Sequence, residues 1–577
     1  MNISKPQRSK LFIVLLIFFL LTAVAISSAS AQAPFADMFN QNQSQQKKQL
    51  PEYTPQEPGP KIVLPPLPAP EKDRLSTIGF VYVKKYRFNG NTIVSDKELD
   101  NIAEPFTNRK ISIQELHELR YKITLHYINK GYINSGAVLP DQKVENGVIT
   151  FKIIEGRLTD LEIIGTKRIK KGYVLKRIDP GREKILNINE LQKNLQLLHQ
   201  NPLISKINVE LSPGLKPVEA FLKVAVTESN PFKLSTKYAN DSTPASGSTG
   251  LEIFIQYLNL SGWGDSISGR YEHTKGADEY SINYTIPINS KGTMIALTHD
   301  NTDSQIIEEP FDLIDITSET RNFGISLSHP IIKNPVQELL FTISGEKRNT
   351  KTYLFGQSYS FVGNTNTGQI DITIGRLSTD WTIFRPTQVF AIRSVISSGF
   401  DILDATSFTM EPDGEFVSWL GQLQWSKRLD IVKGDQMILK YSFQISDNAL
   451  PSMERFSVGG MNTVRGYRED QLVRDNGQVA SIEYRFPIFR LPLLSVSKDL
   501  KDGMVQLAPF FDWGKAWNKQ GPLKSEIIYS VGAGIRWDPS KNLHAQIYFG
   551  KGLKNIENAS HDLQDSGIHF LFQWDLF

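Results

Sequence analysis

Two short stretches carry the residue types from which a buried ion pair can be built. SVGGMNTVRGYRED (457–470) sets Arg465 between Val464 and the Gly466-Tyr467 pair, and PFFDWGKAW (509–517) sets Asp512 between Phe511 and Trp513. Successive side chains of a strand point to opposite faces. In a strand through the second stretch, Phe511 and Trp513 therefore face one way, toward lipid if the strand spans a membrane, and Asp512 faces a lumen. A carboxylate left alone in a partly dry interior is costly. An arginine is its natural partner, because it is always charged and forms a two-pronged bond. Arg465 is the candidate, and Arg465–Asp512 is the expected salt bridge.

No other constellation supports catalysis. GDSISG (264–269) resembles the surroundings of a serine nucleophile, but it opens an alternating segment and no His and Asp partners assemble around it. FGKGLK (549–554) lacks the four-residue gap and the Lys-Ser/Thr pair of a phosphate-binding loop. The nine histidines are scattered without paired ligand spacing and there is no cysteine. A metal site, a disulfide framework, a cofactor and an enzymatic activity are accordingly not expected.

The elements that must position the two stretches are strands. From 230 to 577 the helical period disappears, and segments of about ten residues alternate between apolar and polar, the pattern of a transmembrane strand. INYTIPI sets Ile282, Tyr284 and Ile286 on one side, NFGISLSH sets Phe323, Ile325 and Leu327, and IHFLFQWDLF ends the chain with five apolar residues on one face. About sixteen such segments are counted, an even number as expected of an outer-membrane barrel. Eleven precede the Arg465 stretch, which falls in a long connection, and Asp512 lies in the thirteenth. A soluble sandwich or propeller also alternates, but no blade repeat is present. A barrel of this width is too wide for its own side chains to fill.

Before the barrel the period changes between strand and helix. Over 78–156, FVYVKKYRFNGN reads as a strand, SDKE and SIQE read as capping boxes opening two helices, and GVITFKIIEGRL returns to strand. The second helix carries Leu116, Leu119, Ile123 and Tyr127 at spacings of three and four. A second unit over 157–229 repeats this β-α-α-β-β order, with a helix from about Asn189 that sets Leu191, Leu195 and Leu198 on one face. Residues 32–77 are rich in Gln, Asn and Pro and read as a spacer, in which only PFADMF (34–39) suggests a short helix. Residues 1–31 combine Lys5, Arg8 and Lys10 with an apolar run to Ile26 and an Ala29-x-Ala31 site, the pattern of a secretory signal. Without those three cations, the 64 basic residues balance the 61 acidic ones, which disfavours a nucleic-acid partner. No apolar run after Ile26 reaches the length of a membrane helix.

VRGY (Val464, Arg465, Gly466, Tyr467), preceded by FSVGG, together with FFDWG is similar to the two signature motifs of the Omp85 superfamily. The two modules, the Pro-rich spacer and NPLISKINVELSPGLKPVEAFLKVAVTES (201–229) resemble the TpsB branch, the two-partner secretion transporters of the filamentous-haemagglutinin and haemolysin type. The resemblance implies a 16-stranded barrel in the outer membrane, preceded by two α+β POTRA domains in the periplasm. It further implies a loop at about 448–476 that folds inward; members of the family often begin with a plug helix, for which the poorly amphipathic PFADMFNQNQSQQKKQL (34–50) is the one candidate stretch here. Arg465 would be the tip of that loop, Gly466 its close approach to the wall, Tyr467 a packing anchor, and Phe511, Asp512 and Gly514 the wall motif. The implied partners are a secreted TpsA-like exoprotein, outer-membrane lipids, and the barrel-assembly machinery for insertion. An assembly insertase of the same superfamily is the alternative function.

Overall fold

In the computed structural model, the described residues are 46, 48–54, 62–63, 79–178, 185–214, 219–360, 368–406, 414–500, 502–520, 525–556, 558 and 562–576. The leader 1–31 and PFADMF lie outside them. Sixteen long antiparallel strands close into a barrel. They are β1 (Phe232–Ala239), β2 (Gly250–Leu258), β3 (Ser266–Thr274), β4 (Ala277–Pro287), β5 (Met294–Gln305), β6 (Ile316–Asn334), β7 (Gln337–Leu354) and β8 (Gln369–Arg385). The second half comprises β9 (Gln388–Phe400), β10 (Val417–Lys427), β11 (Gln436–Ser446), β12 (Asn476–Arg490), β13 (Met504–Trp517), β14 (Glu526–Ser540), β15 (Leu543–Gly552) and β16 (Ile568–Asp575).

Alternation decides which face is which. On β4, Tyr280 and Ile282 are exposed on the outside while Ser281 and Asn283 are buried toward the lumen; on β6, Phe323, Ile325 and Leu327 face out and Ser326 and Ser328 face in. The GDSISG stretch follows the same rule, with Ser266 and Ser268 on the buried face and Asp265 accepting from the Ser261 amide and the Tyr284 hydroxyl. The lumen wall carries paired charge: Arg270 meets Glu252, Glu272 and Glu279, and Arg376 meets Glu346 and Glu454. A buried cation is retained only when paired in this way. The strands β6, β7 and β8, of 19, 18 and 17 residues, exceed the ten-residue segments expected from the sequence. The polar ends of a long strand carry no apolar period, so the pattern registers only the membrane-depth part. The barrel closes through just five residue pairs between β1 and β16, from Ser235–Asp575 to Ala239–Leu571.

Two α+β modules precede it. In the first, strand Lys85–Asn89 pairs in parallel with Val148–Ile154, which is flanked on its other side by Gly136–Val138. Helices α1 (Asp96–Ala103) and α2 (Ile113–Asn129) follow that first strand. Ser112 and Glu115 form the full capping box at the start of α2. Ser95 caps α1 by accepting from the Glu98 amide, but the Glu98 carboxylate is engaged with Lys130 and His126 instead of returning to the cap. The second module repeats the plan with Arg157–Ile164, α3 (Lys171–Ile178), α4 (Ile188–His199), Ile204–Pro213 and Glu219–Glu228. Leu191, Leu195 and Leu198 of α4 all enter its core.

The two modules share one local device. The Glu155 carboxylate accepts from the Thr92 and Ile93 amides, and the Glu228 carboxylate accepts from the Lys167, Arg168 and Ile169 amides. Glu155 directly follows the last strand of its module and Glu228 ends that of the other, and each fixes the loop that leads into the first helix. The joint to the barrel is made by the β2–β3 turn. Trp263 lies under the Lys170 ammonium at 4.9 Å, and the Lys170 amide donates to the Gly262 carbonyl at 3.0 Å.

Residues 48–54, in the stretch read as spacer, run extended against the inner wall. Gln424 donates to the Leu50 carbonyl at 2.9 Å, the Tyr53 amide donates to Ser426 Oγ at 3.1 Å, and the Tyr53 hydroxyl donates to the Pro386 carbonyl at 2.9 Å. Composition alone reads such a segment as solvated. It is ordered here because glutamines and serines projecting from β10 pair with its backbone.

Burial raises the Glu228 carboxyl pKa, but the amides of Ile169, Lys167 and Arg168 outweigh burial and hold it below its ordinary value. A depressed pKa stabilises the folded state above the unfolded value, and that stability is lost as pH falls through the folded one. Glu228→Gln should therefore destabilise the second module by about 1–3 kcal/mol. Thermal melts of the full chain at pH 7 and pH 4 should show a smaller acid-induced loss for the variant than for the wild type.

Candidate functional site: a loop locked inside the barrel

The connection between β11 and β12 does not leave the barrel. A short hairpin, Phe456–Val458 with Leu472–Arg474, turns it inward, and the VRGY residues sit at its far side against β12, β13, β15 and β16. The structure brings Arg465 and Asp512 together in a two-pronged bond: Nε to Oδ2 at 2.8 Å and Nη2 to Oδ1 at 3.0 Å. The Arg465 amide adds a third bond to Oδ2 at 3.1 Å. Asp512 is completely buried and Arg465 nearly so. The remaining nitrogen of the guanidinium, Nη1, reaches Glu483 on β12, and Ser481 donates to Asp512 at 2.6 Å. The guanidinium carbon lies 3.7 Å from the Phe510 ring centroid and 4.8 Å from that of Tyr548. Each of the three guanidinium nitrogens has an acceptor, and aromatic rings stand beside the cation.

The neighbours of Arg465 explain the other motif residues. Gly466 has φ +90°, and a Cβ there would stand 2.8 Å from the Gly550 carbonyl carbon; one on Gly550 would stand 2.7 Å from the Gly466 amide nitrogen. Two glycines face to face let loop backbone lie directly on wall backbone. The Gly466 amide donates to His569 Nε2 at 3.1 Å, which ties the loop to the last strand. The Tyr467 hydroxyl donates to the Lys554 carbonyl at 3.0 Å and accepts from the Lys554 amide at 3.0 Å. Val464 is fully buried with Val458 and Phe456, and a Cβ on Gly514 would strike Val458 and Val464. Phe511 faces outward and is exposed, so it takes no part in the contact with the loop.

Sequence reasoning singled out Asp512 but passed over Phe510, Glu483, Ser481, Tyr548 and Gly550. Phe510 was legible: it lies two residues from Asp512 and shares its face. Glu483 was also legible as an inward carboxylate in the alternating ASIEYRF of β12. FGKGLK, set aside as no phosphate loop, supplies the glycine seat for the loop.

Comparison with known proteins gives the family. Residues 219–537 match the model of the family described as haemolysin secretion/activation protein ShlB/FhaC/HecB, and residues 81–156 match the POTRA domain, ShlB-type. The chain belongs to that family. It is an outer-membrane transporter of the two-partner secretion type, with its modules in the periplasm. Relatives include the outer membrane transporter CdiB of Dickeya dadantii, 22% identical over 79% of this chain and 80% of that one. The heme/hemopexin transporter protein HuxB of Haemophilus influenzae is 22% identical over 82% of this chain and 83% of that one. Among solved structures, CdiB from Escherichia coli covers 88% of this chain and 93% of its own with a TM-score of 0.68 at 20% identity.

Within this transporter the close approach of Gly466 and Gly550 is a sensitive point. Gly466→Ala adds a side chain at positive φ against wall backbone, a strain of about 1–3 kcal/mol. The variant barrel should unfold at a lower denaturant concentration than the wild type, as followed by heat-modified gel mobility.

Proposed function

We propose that this transporter captures an unfolded exported protein in the periplasm and passes it to the surface through a barrel whose lumen is held shut by the Arg465–Asp512 pair. The cargo would be a TpsA-like exoprotein, and insertion of the barrel itself would use the barrel-assembly machinery and the surrounding lipids. The observation that carries the reading is the inward loop, which folds into a wide barrel and is fastened to its wall by buried charge. Among the described residues, the edge strand Ile204–Pro213 of the second module is covered only at Val209 and Glu210, by Ile62–Val63. Among the described residues the rest of that ten-residue edge is unpaired, which suits an added strand, a mode in which backbone bonds give affinity and side-chain pockets give selectivity. The sequence holds no nucleotide-binding motif, so folding of the cargo outside is the proposed drive.

Removing one partner of a buried charge pair costs about 3–5 kcal/mol, because the other charge stays buried. Arg465→Ala should therefore insert into membranes yet secrete poorly. Arg465→Lys should fall short as well, since an ammonium cannot replace the fork. Wild-type export by Arg465→Ala would refute the lock. Deleting residues 80–228 should abolish export while leaving the barrel inserted, as read by surface protease digestion and by cargo in the medium.

A further inference from the structure

The lock is not confined to the loop and the wall. Arg485, two residues from Glu483 on the same face of β12, donates through Nε to Glu483 Oε1, while Arg465 holds Glu483 Oε2. On its other side Arg485 forms a fork to Glu52 of the N-terminal segment, Nη1 to Oε2 at 2.6 Å and Nη2 to Oε1 at 3.2 Å. Lys440 of β11 stands 3.8 Å from the same carboxylate. Five charges thus alternate in one file: Glu52, Arg485, Glu483, Arg465, Asp512. The same segment reaches the loop directly, for the Ser457 amide donates to Gln46 Oε1 at 2.9 Å.

We infer that Glu52 is a positioning residue for the inward loop: by holding Arg485 it leaves Glu483 free to serve Arg465, so that withdrawing the N-terminal segment from the lumen loosens the lock. This rests on the reading of the loop as the closing element. The chemistry is a competition for one carboxylate. With Glu52 in place, Arg485 has two acidic partners and Glu483 is shared without loss. Once Glu52 departs, Glu483 is the one carboxylate of the file left to Arg485. Arg485 draws that carboxylate from Arg465, leaving Arg465 to Asp512 only. The coupling runs in both directions, as linkage requires: loop release frees Glu483 for Arg485 and weakens the hold on Glu52. An extended segment that reaches from the loop to the periplasmic turns thereby becomes the means by which an event at the modules is felt at the loop.

The chain has no cysteine, which permits a clean test in the full-length protein. Met461, buried on the inward loop, is replaced by Cys as the sole thiol, and its rate of maleimide labelling is measured in proteoliposomes. Glu52→Gln should raise the rate about fivefold or more, the lower bound for a coupling of this kind. Arg485→Gln removes the competitor for Glu483, so adding Glu52→Gln to it should raise the rate no further; a further rise overturns the inference. In an Arg465→Ala background, Glu52→Gln should add nothing further. Tyr53→Phe removes a neighbouring anchor of the same segment without touching the file and should label at the wild-type rate. An unchanged rate in Glu52→Gln beside a raised one in Arg465→Ala overturns the inference and leaves the lock standing. An additive rise with Arg465→Ala, or an equal rise in Tyr53→Phe, overturns it too, because the segment would then act by filling space. No rise in Arg465→Ala itself removes the lock and the inference together.

Discussion

A charged guanidinium inside a barrel is tolerable only when its donors are matched, and the architecture around Arg465 follows from that requirement. Its fork needs a carboxylate at fixed distance, which Asp512 supplies from a rigid strand. Its remaining nitrogen needs a second, which Glu483 supplies from the adjacent strand. The aromatic rings of Phe510 and Tyr548 stand beside the guanidinium. Holding these groups in register takes β12, β13 and β15, and the loop can approach them only because Gly466 and Gly550 carry no side chains. The loop position is therefore a consequence of satisfied charge rather than of apolar packing alone.

The N-terminal part of the chain is organised around the same lumen. The two modules stack through short joints, with the Ile188 amide donating to the Gly131 carbonyl. The second module meets the barrel through Trp263. The segment before them passes back along β10 and reaches the charge file at Glu52. Each contact is modest, and among the described residues they fall at the sheet edge of the second module, at the β2–β3 turn and at the inward loop. A transporter without a nucleotide motif needs contacts of this kind if cargo arrival is to be felt inside the barrel.

Particular residues show how far pattern reading reaches. The period-2 alternation located strands from β1 to β16, and it set Asp512 inward. The 3.6-residue period found α2 and α4, whose apolar faces enter the two cores. It overlooked the ends of β6 to β8, where polar residues on both faces erase the alternation. It also left residues 48–54 as spacer, because a chain held by partners from β10 carries no period of its own.

The sequence by itself determined the class of structure. Alternation at membrane depth, an even strand count and inward polar residues leave a closed barrel as the way to satisfy the backbone in lipid, and the helix caps and apolar faces dictate the modules before it. The sequence also named the two charges that had to meet. Only the tertiary structure decided who shares them. Glu483, Arg485 and Glu52 lie far apart along the chain or in unremarkable strand pattern, and they form one file because barrel closure brings β12 and β13 beside the returning N-terminal segment. Proximity across a lumen depends on strand register and tilt, which local periodicity does not encode.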